Sequence, residues 1–86
     1  MIRLRPDALT WLEIEGEIVA LDRRSSMYLS VNRTGATLWP ALQEGATVDE
    51  LVALLVKEFD VDTPTASNDV AAFVDVLDAR GLLVAE

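Results

Sequence analysis

Apolar and polar residues alternate over the early part of the chain and then shift to helical spacing, so the pattern predicts a sheet followed by helices. In Leu9-Thr10-Trp11-Leu12-Glu13-Ile14-Glu15, Leu12 and Ile14 alternate with Glu13 and Glu15, as in a half-buried strand. Gly16 marks a turn, and Glu17 to Asp22 reads as a second strand. Arg23-Arg24-Ser25-Ser26 is a polar connection, and Met27 to Val31 is a third strand, rich in apolar, aromatic and β-branched residues. Short strands with tight links predict an antiparallel meander.

From Asn32 the period changes. Its side-chain oxygen can accept from the free N–H groups of a helix's first turn. The first helix is predicted from about Arg33 to Leu42, with apolar contacts from Ala36, Leu38, Trp39 and Leu42, and Gly45 closing the unit. Pro40 cannot donate to the Ala36 carbonyl, which predicts a kink or an early end. Thr47-Val48-Asp49-Glu50 is a capping box. The helix after it reaches to about Phe59, with Leu51, Leu54, Leu55 and Glu58 at helical spacing. Pro64 and the polar run Thr65 to Asp69 announce a third helix with the stripe Val70, Phe73, Val74 and Leu77. Gly81 suits the left-handed residue beyond its end, and Leu82-Leu83-Val84 adds a short terminal strand. The predicted fold is α+β and winged helix-turn-helix-like: a three-stranded antiparallel sheet followed by three helices, in one domain spanning residues 1–86.

Composition narrows the chemistry. With 51% hydrophobic residues, an 86-residue chain can bury a single core without disulfides or metals. Cysteine is absent, which removes thiolate chemistry, and histidine is absent, which removes the usual general base and commonest metal ligand. No run approaches the roughly 18 apolar residues of a membrane span, and Met1 to Asp7 lacks a signal-peptide core. A cytoplasmic protein with no membrane partner is expected.

The net charge of −8 is unevenly placed. Residues 1–43 balance Arg3, Arg5, Arg23, Arg24 and Arg33 against Asp7, Glu13, Glu15, Glu17 and Asp22. Residues 44–86 set Lys57 and Arg80 against ten acidic groups, so that half holds the whole excess and repels phosphate backbones. A groove-reading third helix would need arginine or lysine, yet it offers Asp69, Asp75 and Asp78 against Arg80 alone. Nucleic acid is therefore an unsuitable partner.

Candidate catalytic groups are weak. Glu58, Asp60 and Asp62 lack the spacing and glycine of a calcium loop and read as a solvated inter-helix loop. Ser25 and Ser26 have no histidine to activate them, and Lys57 is the only lysine, so both serines read as turn residues. Gly35 sits in no phosphate-binding pattern and instead allows close packing at a helix start. The expectation is no enzyme activity, no metal and no cofactor.

Trp11, Trp39, Phe59 and Phe73 read as core residues. If Met27, Leu29 and Val31 face the core, Tyr28 and Ser30 face away. Val76 lies roughly 100° from the main stripe of the third helix, given 3.6 residues per turn. Asp69, Ala72, Phe73, Val76 and Arg80 thus form a second, mixed face. Beside it, a free strand edge is a docking surface for another peptide's backbone.

One family unites these fragments. Tyr28-Leu29-Ser30-Val31-Asn32-Arg33-Thr34-Gly35-Ala36-Thr37-Leu38-Trp39, then Thr47-Val48-Asp49-Glu50-Leu51, Phe59-Asp60-Val61-Asp62, Asp69-Val70, Phe73, Leu77 and Gly81-Leu82-Leu83 resemble the PqqD-like family. Its members are recognition elements for the precursors of ribosomally made, modified peptides. The resemblance covers about Leu9 to Val84, and the strand–Asn–x–Thr–Gly–x–x–x–Trp junction is its most specific part. It implies a non-catalytic monomer on which the precursor's leader adds as a strand beside the third strand and packs against the third helix. Carried onto this chain, the leader-binding residues are Met27, Tyr28, Leu29, Ser30 and Val31 on the strand. Asp69, Val70, Ala72, Phe73 and Val76 lie on the helix, with Arg80 at the end of the groove.

An acidic helix there favours a leader bearing lysine or arginine near its apolar anchors. A free-standing chain of this length looks like the precursor-recognition proteins of lasso-peptide pathways, which deliver the precursor to a separate leader peptidase and then a cyclase. The strand-linking segment Asp22 to Ser26 departs from the PqqD type, which favours the lasso reading; Pro40 also falls where the family continues its first helix. The alternatives are a PqqD-type chaperone presenting its precursor to a radical enzyme, and an acidic winged-helix regulator acting through protein contacts.

Overall fold

The computed structural model describes residues 1–85. In chain order the elements are β1 (Ile2–Leu4), β2 (Leu9–Ile14), β3 (Glu17–Asp22), β4 (Met27–Val31), α1 (Arg33–Glu44), α2 (Val48–Phe59), α3 (Thr63–Ala79) and β5 (Leu83–Ala85). The expected three-stranded antiparallel sheet is present, in the order β2-β3-β4, and the three helices follow it. Glu15 and Gly16, both at positive φ (52° and 82°), make the two-residue turn between β2 and β3, a backbone form that matches the twist of a hairpin.

A second, two-stranded sheet was not anticipated in full. β1 pairs antiparallel with β5, with Arg3 opposite Val84, and the terminal strand begins one residue later than expected because Leu82 is buried in the core. Ile2 also exchanges backbone hydrogen bonds with Ala46, at 2.8 and 2.9 Å, which ties the N-terminus to the α1–α2 connection. β1 carries a single alternation, Ile2-Arg3-Leu4, with no turn signal before it, and its strand form comes from its partners β5 and Ala46.

The helices follow their caps. Asn32 Oδ1 accepts from Gly35 N at 3.0 Å, so β4 passes into α1 with one residue between them. Of the expected kink or early end, the early end does not occur: α1 continues through Pro40 to Glu44. Pro40 is exposed, and the backbone bond it forfeits is offset by the complete burial of Leu38, Trp39 and Leu42 on the opposite side.

The capping box is closed at both ends: Thr47 Oγ1 accepts from Glu50 N at 3.1 Å, and Glu50 Oε1 accepts from Thr47 N at 2.9 Å. Those bonds hold the Glu50 carboxyl below its ordinary pKa. Asp62, expected in a solvated loop, instead caps α3 by accepting from Thr65 N at 2.8 Å, and hydrogen bonding from the Thr65 side chain and backbone lowers its pKa too. Gly81 takes the left-handed conformation at φ 69°, as its position past α3 suggested.

Alternation on β3 and β4 sends Ile18, Ala20, Leu29 and Val31 inward against Leu38, Trp39 and Leu42 of α1. Leu51 and Leu55 of α2 and Ala66, Val70 and Leu77 of α3 complete the core. Of the four aromatics assigned to the core, Trp39 is fully buried and Phe59 and Phe73 are half-buried. Trp11 remains 38% exposed because β2 is an edge strand; its ring meets that of Trp39 edge-on, with centroids 5.8 Å apart.

Candidate peptide-binding groove

The register of the sheet decides which backbone groups remain free. In antiparallel pairing, bonded and non-bonded residue pairs alternate, and a two-residue turn closes on a bonded pair. That pair is Ile14 with Glu17. Glu17, Val19 and Leu21 of β3 therefore bond to β2, leaving Ile18, Ala20 and Asp22 to bond Val31, Leu29 and Met27 of β4. The bond from Arg23 N to Ala8 O at 2.9 Å continues the same phase. Tyr28 and Ser30 consequently turn both N–H and C=O toward the open edge of β4.

The edge faces a wall. α3 packs chiefly on α2 and stands off β4, and the gap holds two adjoining cavities of about 310 and 200 Å³. Asn32, Phe73 and Val76 line both. The larger is completed by Thr34, Gly35, Asp69 and Ala72, and the smaller by Leu29, Ser30 and Val31. Gly35 sets the floor: a Cβ there would stand 2.6 Å from Val31 Cγ1 and 2.9 Å from Phe73 Cε1. Its lack of a side chain lets the Phe73 ring reach α1 beneath β4. Val76 is 45% exposed over this floor, and Tyr28 is 68% exposed on the outer face of the sheet.

The turn that presents β4 is pinned by Asp22. Its carboxylate accepts from Arg24 N at 3.0 Å, with Arg24 Nε 3.9 Å away. The backbone bond from Arg24, with further bonds from Ser25, holds the Asp22 carboxyl below its ordinary pKa. At the other side of the groove, Arg80 Nη1 approaches the Tyr28 carbonyl at 3.5 Å.

The structure brings Leu29, Ser30, Val31, Asp69, Ala72, Phe73 and Val76 together around one groove, with Tyr28 and Arg80 meeting at its end. Met27 is exposed at the start of β4. Val70 is completely buried and serves the core rather than the groove surface. Sequence reasoning left out Asn32, Thr34 and Gly35 as lining residues. Their signal was the Asn–x–Thr–Gly junction itself, read as a helix cap and a packing glycine; both readings hold, and the same residues also form the groove's end.

The arrangement has the parts for strand addition: outward N–H and C=O groups at alternate residues, and apolar pockets for alternate side chains. Among the described residues, no group of three or more His, Cys, Asp or Glu side chains is placed to hold a metal ion. No helix among them is long and apolar enough to cross a membrane.

Comparison with known proteins places this geometry in a context. The family described as coenzyme PQQ synthesis protein D matches residues 17–83. TbiB1, solved in complex with the TbiA(beta) leader peptide, superposes with a TM-score of 0.84 at 29% identity, covering 98% of this chain and 99% of that one. Lasso peptide synthetase B1, solved in complex with the leader peptide, superposes with a TM-score of 0.80 at 30% identity, covering 98% of both chains. No curated protein matches by sequence.

Proposed function

The chain belongs to the PqqD family, and from that premise we propose that it binds the leader of a ribosomally synthesised precursor peptide as an added strand on β4. In this reading it does no chemistry itself and delivers the bound precursor to a separate leader peptidase in lasso-peptide biosynthesis. The observation that carries it is the open edge at Tyr28 and Ser30 facing the half-buried Phe73 and exposed Val76 of α3. Backbone pairing supplies affinity with little sequence demand, and the two cavities supply selection of side chains. A flexible leader orders as it binds, so a few anchors must offset that entropy. Its likeness along nearly the whole chain to two proteins solved with leader peptides supports the lasso assignment. Presentation of a precursor to a radical enzyme is the second reading, favoured by the family's description.

The test is a titration of a fluorescently labelled leader from a candidate precursor, sought among the short reading frames beside this chain's gene. Saturable binding is expected, and Ser30→Pro should weaken it by roughly tenfold or more, because proline removes an outward donor while the bonds to β3 persist. Addition of the chain should then accelerate cleavage of that leader by a lasso-pathway leader peptidase. Absence of binding at any concentration up to the solubility of the peptide sinks the reading. Stimulation of a neighbouring radical enzyme instead would select the second one.

A further inference from the structure

We infer that the groove reads the charge order of its peptide, taking a basic residue at the Asp69 end, apolar anchors in the middle and an acidic residue at the Arg80 end. The inference rests on the leader-binding reading and specifies which leaders qualify. Asp69 and Arg80 are eleven residues apart on α3 and its C-cap, which at roughly 100° per residue places them only about 20° apart around the axis. They therefore stand at opposite ends of one strip, with Ala72, Phe73 and Val76 between them. Asp75 and Asp78 fall roughly 240° and 180° from Asp69 on the same wheel and face away from the groove. The acidic character of the helix thus reaches the groove only through Asp69.

The two ends differ in their other charges as well. At the Arg80 end, Arg24 Nη2 donates to the Gly81 carbonyl at 2.9 Å and approaches the Arg80 carbonyl at 3.5 Å, and Arg5 Nε donates to Gly81 O at 3.1 Å. Asp22 partly balances Arg24 at 3.9 Å. The guanidinium groups gathered there outweigh the partial negative charge of the helix C-terminus and leave that end with an excess of positive charge. At the Asp69 end, the cavity is lined by the neutral Asn32 and Thr34. Arg33 is turned elsewhere, its guanidinium against Gly16 in the β2–β3 turn.

Arg80 also has a second position to take. Its Nη1 lies 3.5 Å from the outward carbonyl of Tyr28, where the N–H of an added strand belongs. An incoming peptide displaces it, and the freed guanidinium is then beside the peptide's exit. Every strand pair among the described residues is antiparallel. A peptide added the same way runs from Asn32 toward Tyr28, so the basic residue precedes the acidic one. The separation along α3 is about 16 Å, which spans about five residues of extended chain.

Two synthetic peptides test this: the same candidate leader, and that leader with the basic and acidic residues flanking its anchors exchanged. Binding by anisotropy at low salt should be weakened by the exchange, by roughly five- to twentyfold given the modest strength of exposed ion pairs. The doubly reversed protein, Asp69→Lys with Arg80→Glu, should prefer the exchanged peptide. Should that variant melt early, Asp69→Asn and Arg80→Gln each serve, expected to cost the native leader roughly two- to fivefold and to flatten its salt dependence. Equal affinity of both peptides, or a native leader that binds without that charge order, overturns the inference while leaving leader binding standing. Failure of both peptides to bind overturns the underlying reading as well.

Discussion

The three-stranded sheet has two open edges, and only one has the makings of a site. By the register, β2 turns the backbone groups of Leu9, Trp11 and Glu13 outward, much as β4 turns those of Tyr28 and Ser30. The side chains differ. Glu13 lies opposite Ile18 and so projects toward the core side of its strand, the inward-pointing charge that protects an edge from further pairing. On β4 the same face carries Met27, Leu29 and Val31, with no charge among them. Beyond β4 stands the apolar strip of α3, whereas β2 borders a cavity bounded by Arg5, Pro6 and the two tryptophans. An unpaired edge becomes a peptide site when nothing blunts it and a second element offers pockets at strand spacing.

The largest effect is expected at the floor between strand and wall. Gly35→Ala places a methyl group 2.6 Å from Val31 Cγ1 and 2.9 Å from Phe73 Cε1, so both the strand and the wall must shift. Denaturant unfolding should show a loss of about 1–3 kcal/mol, accompanied by weaker leader binding. A variant with wild-type stability and affinity would mean that the floor is softer than the contacts describe.

Proline separates the edges directly. Ser30→Pro should abolish or greatly weaken leader binding, while Glu13→Pro, an outward N–H removed from the other edge, should leave it within about twofold of wild type. Leu29→Pro is a poorer probe, because Leu29 bonds Ala20 within the sheet and its loss would unfold the hairpin. Comparable losses from both edge prolines would break the distinction between them. A smaller effect is expected from Thr47→Ala on the far helix α2, about 1 kcal/mol of stability for a lost N-cap, with leader affinity unchanged.

Much of this was legible in the sequence. β3 and β4 fall on their expected bounds because apolar runs bounded by turn residues define them, and the Gly-marked turn sets a register that buries Ile18, Ala20, Leu29 and Val31. The capping box fixed the start of α2 by local bonds alone. The misses are tertiary. β1 exists because β5 and Ala46 lie beside it, and α1 survives Pro40 because its other face is buried. Val70 and Phe73 share a stripe in sequence, but only the distance between α3 and β4 decides that Phe73 reaches the groove and Val70 does not. The charge order of the groove needed the wheel and the structure together: composition counts Asp69, Asp75 and Asp78 alike, while geometry admits only the first.

The weakest expected effect concerns acid, and it too divides the two hairpins. The β2–β3 turn rests on positive φ at Glu15 and Gly16, whereas the β3–β4 turn rests on the Asp22 carboxylate accepting from Arg24 N. A carboxyl whose pKa is lowered by folding stabilises the protein above its unfolded value, near 4, and loses that contribution as pH falls through the lower folded value. Glu50 and Asp62 behave in the same sense and weaken the whole fold together. The ratio of hydrogen-exchange protection between the hairpins removes that common loss. Below about pH 4 the bonded amides of Arg24, Ser26, Met27 and Leu29 should lose protection before those of Leu12, Ile14, Glu17 and Val19, and Asp22→Asn should erase the pH dependence of the ratio. Parallel loss in both hairpins would show that Asp22 does not hold the turn, and β4 would then owe its presentation to α1 and the Asn32 cap alone.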